Sequence, residues 1–265
     1  MERENIKPNK LLGQNFLRDK NVLDKIIAAA NLTSNDTILE IGPGEGILTE
    51  ALAQSAGRVI AVEKDRNLAA LLKIKLAAAK NIEIVEGDIL ECLNNDSLSL
   101  PQPYKVVANI PYYLTSHLIR LLLESAKPPQ DIILMIQKEV AKRICAKVPE
   151  MSLLAAATQF YATPKIITSV SKNAFWPKPK VDSAIIKITP HNNYSSKINT
   201  NLFFKVAHAG FSHPRKQLLN NLSQELKLSK EIIATALETS EIKNSQRAET
   251  LTVEDWLTLA KNLDL

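Results

Sequence analysis

Glycine is scarce in this chain: seven residues of 265, where average usage of ~7% would supply about 19. Only two cysteines occur, Cys92 and Cys145, far apart and in no C-x-x-C pair. That excludes a disulfide framework and a thiolate metal knuckle, and it suits a reducing compartment. The four histidines are scattered with no H-E-x-x-H spacing, so no metal is expected. No apolar run approaches the ~18 residues of a membrane span, and the opening MERENIKPNK lacks a signal-peptide core. The expectation is a soluble, cytoplasmic protein with no membrane partner.

What is present is a core-forming composition, 45% hydrophobic and 23% charged, which excludes a disordered or collagen-like chain. Net charge is +5 and unevenly spread. Residues 137–187 carry nine Lys and Arg against three Asp and Glu, whereas the final 71 residues carry nine against eight. A local cationic excess points to a polyanionic partner or to a solvated surface.

Periodicity organises the chain. NVLDKIIAAANL sets Val22, Leu23, Ile26, Ile27 and Ala30 on one helical face. Short apolar runs at 37–41, 58–62, 81–85, 105–109 and 131–136 then alternate with helical stretches at 65–80, 115–125 and 137–147. Such alternation predicts a mostly parallel sheet with helices on both faces. Two β-rich runs at 164–170 and 181–189 suit an antiparallel pair at the sheet edge. A polar stretch at 191–200 reads as a linker, and helical segments at 201–210, 215–227, 229–239 and 252–263 follow. Two domains are expected, 1–192 with a basic N-terminal segment and a helical 193–265.

Three of the seven glycines fall together in ILEIGPGEGILTEAL, at Gly42, Gly44 and Gly46. A strand, a glycine turn and a helix in that order let a ligand approach bare backbone. The spacing is G-x-G-x-G, with Ile47 where a dinucleotide fingerprint places its third glycine, and no G-x-x-x-x-G-K-[ST] is present. Glu63 ends the next strand, where a carboxylate can accept from both hydroxyls of a ribose. Asp88 follows the strand after that, where it can accept from an adenine amine. Either acid alone is an ordinary loop residue; with the glycine turn they outline an adenosine-shaped pocket.

This arrangement resembles the S-adenosylmethionine domain of class I methyltransferases. The resemblance implies an α/β, Rossmann-like fold, a mostly parallel seven-stranded sheet, with a small all-α C-terminal domain. It places the methionine end of the cofactor at Gly42 and Gly44, the ribose at Glu63, and the adenine at Asp88 and the Ile89 amide.

KVVANIPYYL ends the fourth strand of the alternation with Asn109-Ile110-Pro111-Tyr112. An exocyclic base amine is a poor nucleophile because its lone pair is delocalised into the ring. The Asn109 side-chain oxygen and the Ile110 carbonyl can accept its hydrogens and aim the lone pair at a methyl donor. Pro111 fixes the turn, and Tyr112 can stack on a flipped-out base. A strand-ending turn with a core tyrosine is the structural alternative.

Asn-x-Pro-Tyr resembles amino-methyltransferases acting on adenine, and three further stretches narrow the likeness. LGQNFL (12–17), FWPKPKVDSAI (175–185) and PRKQLLNNL (214–222) resemble the ribosomal RNA adenine dimethyltransferases, the last two favouring the small-subunit, KsgA-type branch. The family resemblance implies that Asn15, Leu17 and Asn109 also contribute to the cofactor site and that Phe175 forms a second wall for the base. It implies methylation of two adjacent adenines in the 3′-terminal hairpin of small-subunit rRNA within an immature 30S particle. The cofactor leaves as S-adenosylhomocysteine, and no metal takes part. A monomer is expected. An Erm-like large-subunit enzyme and a non-catalytic RNA-binding assembly factor on the same fold are the alternatives.

Three departures from the family pattern stand out: Tyr113 in place of an asparagine, a shortened 147–156 segment, and Pro214 opening what is usually an Arg-Arg-Lys run. Basic residues offered for RNA phosphates are Lys138 with Lys142 and Arg143 with Lys147, at i,i+4 spacing on one expected helix. Lys172, Lys178, Lys180, Arg215 and Lys216 join them.

Overall fold

The apolar run Thr37–Ile41 forms β2, the centre of the sheet, because both faces of such a strand can be covered by helices. The computed structural model describes Pro8, Asn9 and residues 12–95, 97–194 and 198–263. Around β2 lie β3 (Arg58–Glu63), β4 (Ile82–Glu86), β5 (Tyr104–Asn109), β6 (Asp131–Gln137), β7 (Ala162–Val170) and β9 (Ser183–Pro190). The order is β4-β3-β2-β5-β6-β9-β7. β2 pairs parallel with β3 and β5, β3 with β4, and β5 with β6, whereas β9 runs antiparallel to β6. The seven strands and their mostly parallel sense match the expected fold. The β-rich runs near 164–170 and 181–189 indeed become neighbours at one end of the sheet.

Helices α1 (Lys20–Ala30), α2 (Ile47–Ala53), α3 (Arg66–Lys75), α4 (Ile89–Asn94) and α5 (Thr115–Glu124) connect the strands. Their starts follow local capping chemistry. Asp19, Asp65 and Asp88 each stand in extended backbone and accept from amides of the first turn of α1, α3 and α4. One apolar core packs Val22, Ile26 and Ala30 of α1 with Leu48 and Leu52 of α2 and with sheet residues Ile38, Val59 and Val107. A buried ion pair at 3.1 Å joins Lys105 of β5 to Asp36, and the Lys105 ammonium also donates to the Asn31 carbonyl at 3.0 Å. These bonds tie the end of α1 to the base of the sheet.

Two features were not expected. Phe16–Leu17 (β1) pairs antiparallel with Phe175–Trp176 (β8), two residues on each side. α6 (Lys138–Ile144) stops short of the expected 137–147, so Lys147 does not share a helix face with Arg143. Pro149 disfavours helical backbone at Val148, and the chain turns instead, the Glu150 amide donating to the Lys147 carbonyl at 2.8 Å.

The chain divides into two compact units. The first holds the described residues up to Ala141 and Lys165–Pro190, the second Lys142–Pro164 and His191 onward. The expected boundary at 192/193 therefore needs correcting for Lys142–Pro164. The reason is aromatic packing: α7 (Leu153–Tyr161) buries Phe160 against Phe203, ring centroids 4.3 Å apart, and against Phe204 at 5.5 Å. Both partners lie on α8 (Thr200–Phe211). α9 (Leu218–Leu226), α10 (Lys230–Thr239) and α11 (Val253–Asn262) complete that unit around Trp256, Leu222 and Leu237. Ser195, Ser196 and Lys197 of the expected linker lie outside the described residues.

Candidate active site

Parallel pairing brings the carboxyl ends of β2, β3, β4 and β5 to one edge, where open α/β sheets bind ligands. A cleft opens there. It is lined by the 12–17 segment, the glycine turn, Glu63, Asp88, Ile89 and Asn109–Leu114.

The glycine turn is shaped by close approach. Gly44 has φ +58°, and a β-carbon there would stand 3.0 Å from the Phe16 ring. Gly42 has φ +66° and nothing within 4 Å of a β-carbon position, so bare backbone fronts open space. The Gly44 amide donates to Glu63 Oε2 at 3.1 Å and the Asp65 amide to Oε1 at 2.9 Å. Glu63 is thereby locked in one rotamer at the cleft floor. Burial raises its carboxyl above the ordinary range, against the pull of those amides.

Glu40, one strand over, is 1% exposed, and its Oε2 has no hydrogen-bond partner among the described residues. Burial, with the Glu63 charge adding, pushes its carboxyl up to about 8. Sequence reasoning missed Glu40. Its signal was an acidic residue inside a run that otherwise reads as a buried strand.

Asp88 has two partners. Its Oδ1 accepts from the Leu90 amide at 2.9 Å, and its Oδ2 pairs with Lys64 Nζ at 2.7 Å. The Lys64 ammonium holds the carboxyl below its usual value. Lys64 lines the cleft too and carried no signal beyond its place after Glu63. Ile89 follows as the first residue of α4, with an amide the helix itself does not use.

The N-terminal segment is pinned over this floor. Gln14 Nε2 donates to Asp65 Oδ2 at 3.2 Å, and Arg18 pairs with Glu45 at 2.6 Å. Arg18 also lies 5.7 Å from the Trp176 ring centroid. The Asn109 amide donates from Nδ2 to the Asn15 carbonyl at 3.0 Å, leaving Oδ1 as the end of the side chain free to accept. Tyr112 and Ser183 share a hydrogen bond at 2.8 Å, and Ser183 is fully buried. Burial raises the Tyr112 phenol. Leu17, Ile110 and Pro111 line the same cleft.

Phe175 is not brought to the cleft wall. It is 5% exposed and packs in the core with Leu17, Val22 and Ala174. Its β8 pairing turns it inward, while Trp176 beside it is 48% exposed. Of the basic residues, Lys138 and Lys180 line a second groove with Lys172, whereas Lys178 is exposed outside it. In the second unit Lys142, Arg143, Lys147, Arg215 and Lys216 are all exposed. Among the described residues, no helix is long and apolar enough to cross a membrane. No group of three His, Cys, Asp or Glu side chains there is placed to hold a metal.

Comparison with known proteins bears on this geometry. The family described as ribosomal RNA adenine dimethylase matches residues 5–265. The ribosomal RNA small subunit methyltransferase A of Dehalococcoides mccartyi is 45% identical over 257 residues, 97% of this chain and 88% of that protein. Its counterpart in Alkaliphilus metalliredigens is 38% identical over 99% of this chain and 94% of its own length. Among solved structures, a dimethyladenosine transferase from Plasmodium falciparum matches with TM-score 0.78 and 29% identity, over 92% of this chain and 95% of that one. The 23S rRNA methyltransferase ErmE matches at 0.75 and 28%, over 95% and 100%. The chain belongs to the ribosomal RNA adenine dimethylase family.

Proposed function

We propose that this protein transfers methyl groups from S-adenosylmethionine to the exocyclic amines of adjacent adenines in small-subunit (16S) rRNA, giving dimethyladenosines. The Asn109–Asn15 hydrogen bond carries the reading. A backbone carbonyl can only accept, so the amide nitrogen of Asn109 faces Asn15 and its oxygen is left for a donor. An adenine amine is such a donor. The curated relatives named for the small subunit favour that target over the large-subunit one.

The cleft fits the cofactor. Gly42 offers backbone without a side chain in the way, and Glu45, Glu63 and Asp88 line the cleft against one lysine, with Glu40 held by burial mostly as the neutral acid near pH 7. That charge balance suits a ligand carrying a sulfonium and an ammonium. When bound, the cofactor supplies an electrophilic methyl group. Glu63 would hold the ribose hydroxyls, Asp88 and the Ile89 amide the adenine, and the glycine turn the methionine end, with Asn15 and Leu17 closing the site. Asn109 Oδ1 and the Ile110 carbonyl accept the hydrogens of the target amine and orient its lone pair. Tyr112, its hydroxyl tied to Ser183, presents its ring to the base. The proton of the methylated amine passes to water, so no side-chain base is required. S-adenosylhomocysteine is the product, and no metal takes part.

The first unit is assigned the cofactor and the chemistry, the second unit rRNA docking. Lys142, Arg143, Lys147, Arg215 and Lys216 serve there as phosphate contacts, and Lys178 serves from the first unit. Phe175 backs the base site from the core. The working form is a cytoplasmic monomer acting on an immature 30S particle.

Labelled S-adenosylmethionine supplied to unmethylated subunits of both sizes tests the proposal, with mass spectrometry locating dimethyladenosine. Label on two adjacent small-subunit adenines is expected. Label confined to the large subunit, or none with particle binding intact, would overturn it.

A further inference from the structure

Tyr112 and Tyr113 follow β5 in one short 3₁₀ turn, Tyr112–Leu114. Successive side chains in such a turn diverge by about 120°, because it holds three residues. The two rings accordingly leave toward opposite sides of β5. Tyr112 reaches Ser183 on β9, two strands away in one direction. Tyr113 takes the other direction. A β-carbon on Gly13 would stand 3.7 Å from Tyr113 Cε1 and 3.8 Å from Cδ1, so the ring edge lies against the N-terminal segment. Lys64, held above its usual value by Asp88 first, also feels the Tyr113 phenol. Lys64 follows β3, two strands from β5 on that opposite side.

Tyr113 is 59% exposed, yet it lines the cleft together with Gly13, Lys64, Asp88 and Ile89. A planar, apolar ligand laid on such a ring removes the surface of both from water. The ring is also placed in advance. The Leu114 amide donates to the Pro111 carbonyl at 3.0 Å, and Thr115 Oγ1 to the Tyr112 carbonyl at 3.0 Å, so the turn is braced at both ends. A preset ring loses little freedom on binding. The neighbours indicate which plane it meets. Asp88, assigned to the cofactor's adenine amine, pairs with Lys64 at 2.7 Å, and Ile89 next to it is buried and apolar. The base to be methylated lies with Tyr112, on the β9 side.

We propose that Tyr113 stacks on the adenine of the cofactor, so that one turn serves both ligands: Tyr112 the base that receives the methyl group, Tyr113 the donor. The inference rests on the cofactor reading above and adds a wall that the glycine turn and the two acids do not supply. Tyr113 stands where an asparagine is usual in the family pattern, and an asparagine offers no aromatic face. The residue binds and orients the donor; it stands away from the transferred methyl.

Calorimetry on the full chain tests this with wild type, Tyr113→Phe and Tyr113→Asn. Two ligands are compared: S-adenosylhomocysteine, and methylthioadenosine, which keeps adenine and ribose but lacks the amino-acid end. Tyr113→Asn is expected to weaken both by about tenfold, the scale of one base on one aromatic ring. Tyr113→Phe should hold wild-type affinity for both to within about twofold, because the ring remains. Stopped-flow exchange should show the change mainly in the dissociation rate. In methyl transfer, KM for the cofactor should rise while KM for undermethylated small subunits stays put. Unchanged affinity in Tyr113→Asn overturns the stack. A loss with S-adenosylhomocysteine alone does so too, since it would put the ring at the amino-acid end. A raised KM for the small subunit at constant cofactor affinity would make Tyr113 a contact for RNA and overturn the proposal in that direction. If Tyr113→Asn melts early by circular dichroism, Tyr113→Leu, which keeps bulk and loses the ring, carries the same comparison. A wild-type chain that binds neither ligand would refute the cofactor reading itself, a result distinct from equal binding by wild type and variants.

Discussion

Asn109 Nδ2 donates to the Asn15 carbonyl at 3.0 Å, between residues 94 positions apart. One hydrogen bond thus closes the N-terminal segment over the cleft and decides which end of the Asn109 amide meets the substrate. An asparagine left to rotate would present donor and acceptor equally, and only the acceptor can help an amine.

Asn109→Ala is expected to lower kcat by about 10²–10³, the scale seen when an oriented polar group at a reacting centre is removed. Affinity for S-adenosylhomocysteine, read by calorimetry, should change only a few-fold. A variant that retains half of wild-type turnover would remove Asn109 from the chemistry.

Glu63→Ala should act on the cofactor. Its carboxylate holds the Gly44 and Asp65 amides, and a charged hydrogen bond lost to a ligand is worth roughly 1.5–3 kcal/mol. Calorimetry with S-adenosylhomocysteine is expected to show about 10- to 100-fold weaker binding. Unaltered affinity would contradict the ribose assignment.

Tyr112→Phe and Tyr112→Ala separate the ring from its hydroxyl. Phenylalanine keeps the stacking face and leaves the buried Ser183 Oγ without the Tyr112 partner, a cost of about 1–3 kcal/mol in stability. Alanine also removes base stacking worth ~1–3 kcal/mol. Alanine should therefore damage kcat/KM more than phenylalanine does. Equal kinetics for the two would deny the ring a role.

Glu40 gives a pH dependence of known sign. Its carboxyl titrates near 8 in the fold against an ordinary 4.5, so between those values the folded state binds the extra proton and stability falls as pH rises. The contribution is fully present below pH 4.5 and gone above about pH 8. Glu40→Gln should melt within a few degrees of wild type at pH 5 and on the order of 6 °C higher at pH 9. Parallel melting curves across that range would show that Glu40 is charged throughout.

Lys105→Met tests the base of the sheet. The change leaves the Asp36 carboxylate, largely buried at 16% side-chain exposure, without its cation. Breaking a buried pair from one side costs about 3 kcal/mol or more, and bonds from Thr33 to Asp36 remain to soften the loss. Urea titration is expected to show a lower midpoint with unchanged slope, and an unmoved midpoint would make the pair energetically idle.

Much of the site can be read from short windows of sequence. The glycine turn, the acids at strand ends and Asn-Ile-Pro-Tyr each sit where the alternation of strand and helix puts them, and Gly42, Glu63, Asp88 and Asn109 meet in one cleft. Asp65 and Asp88 show why some roles stayed hidden. A capping aspartate and a ligand-binding aspartate look alike in sequence, and Asp88 caps α4 while also pairing with Lys64. Phe175 shows the converse, a motif residue turned into the core by a two-residue strand that no periodicity announces.

The sequence alone determined the sheet, its parallel sense and the identity of the cleft, because apolar period, capping chemistry and glycine conformation act over a few residues. Tertiary structure decided the pairings that give those residues direction: Asn109 with Asn15, Tyr112 with Ser183, Lys64 with Asp88, and three lysines around one groove. It also decided that Lys142–Pro164 packs with the helical unit. Such pairings depend on strand order and register, which join segments distant along the chain, and no local window contains both partners.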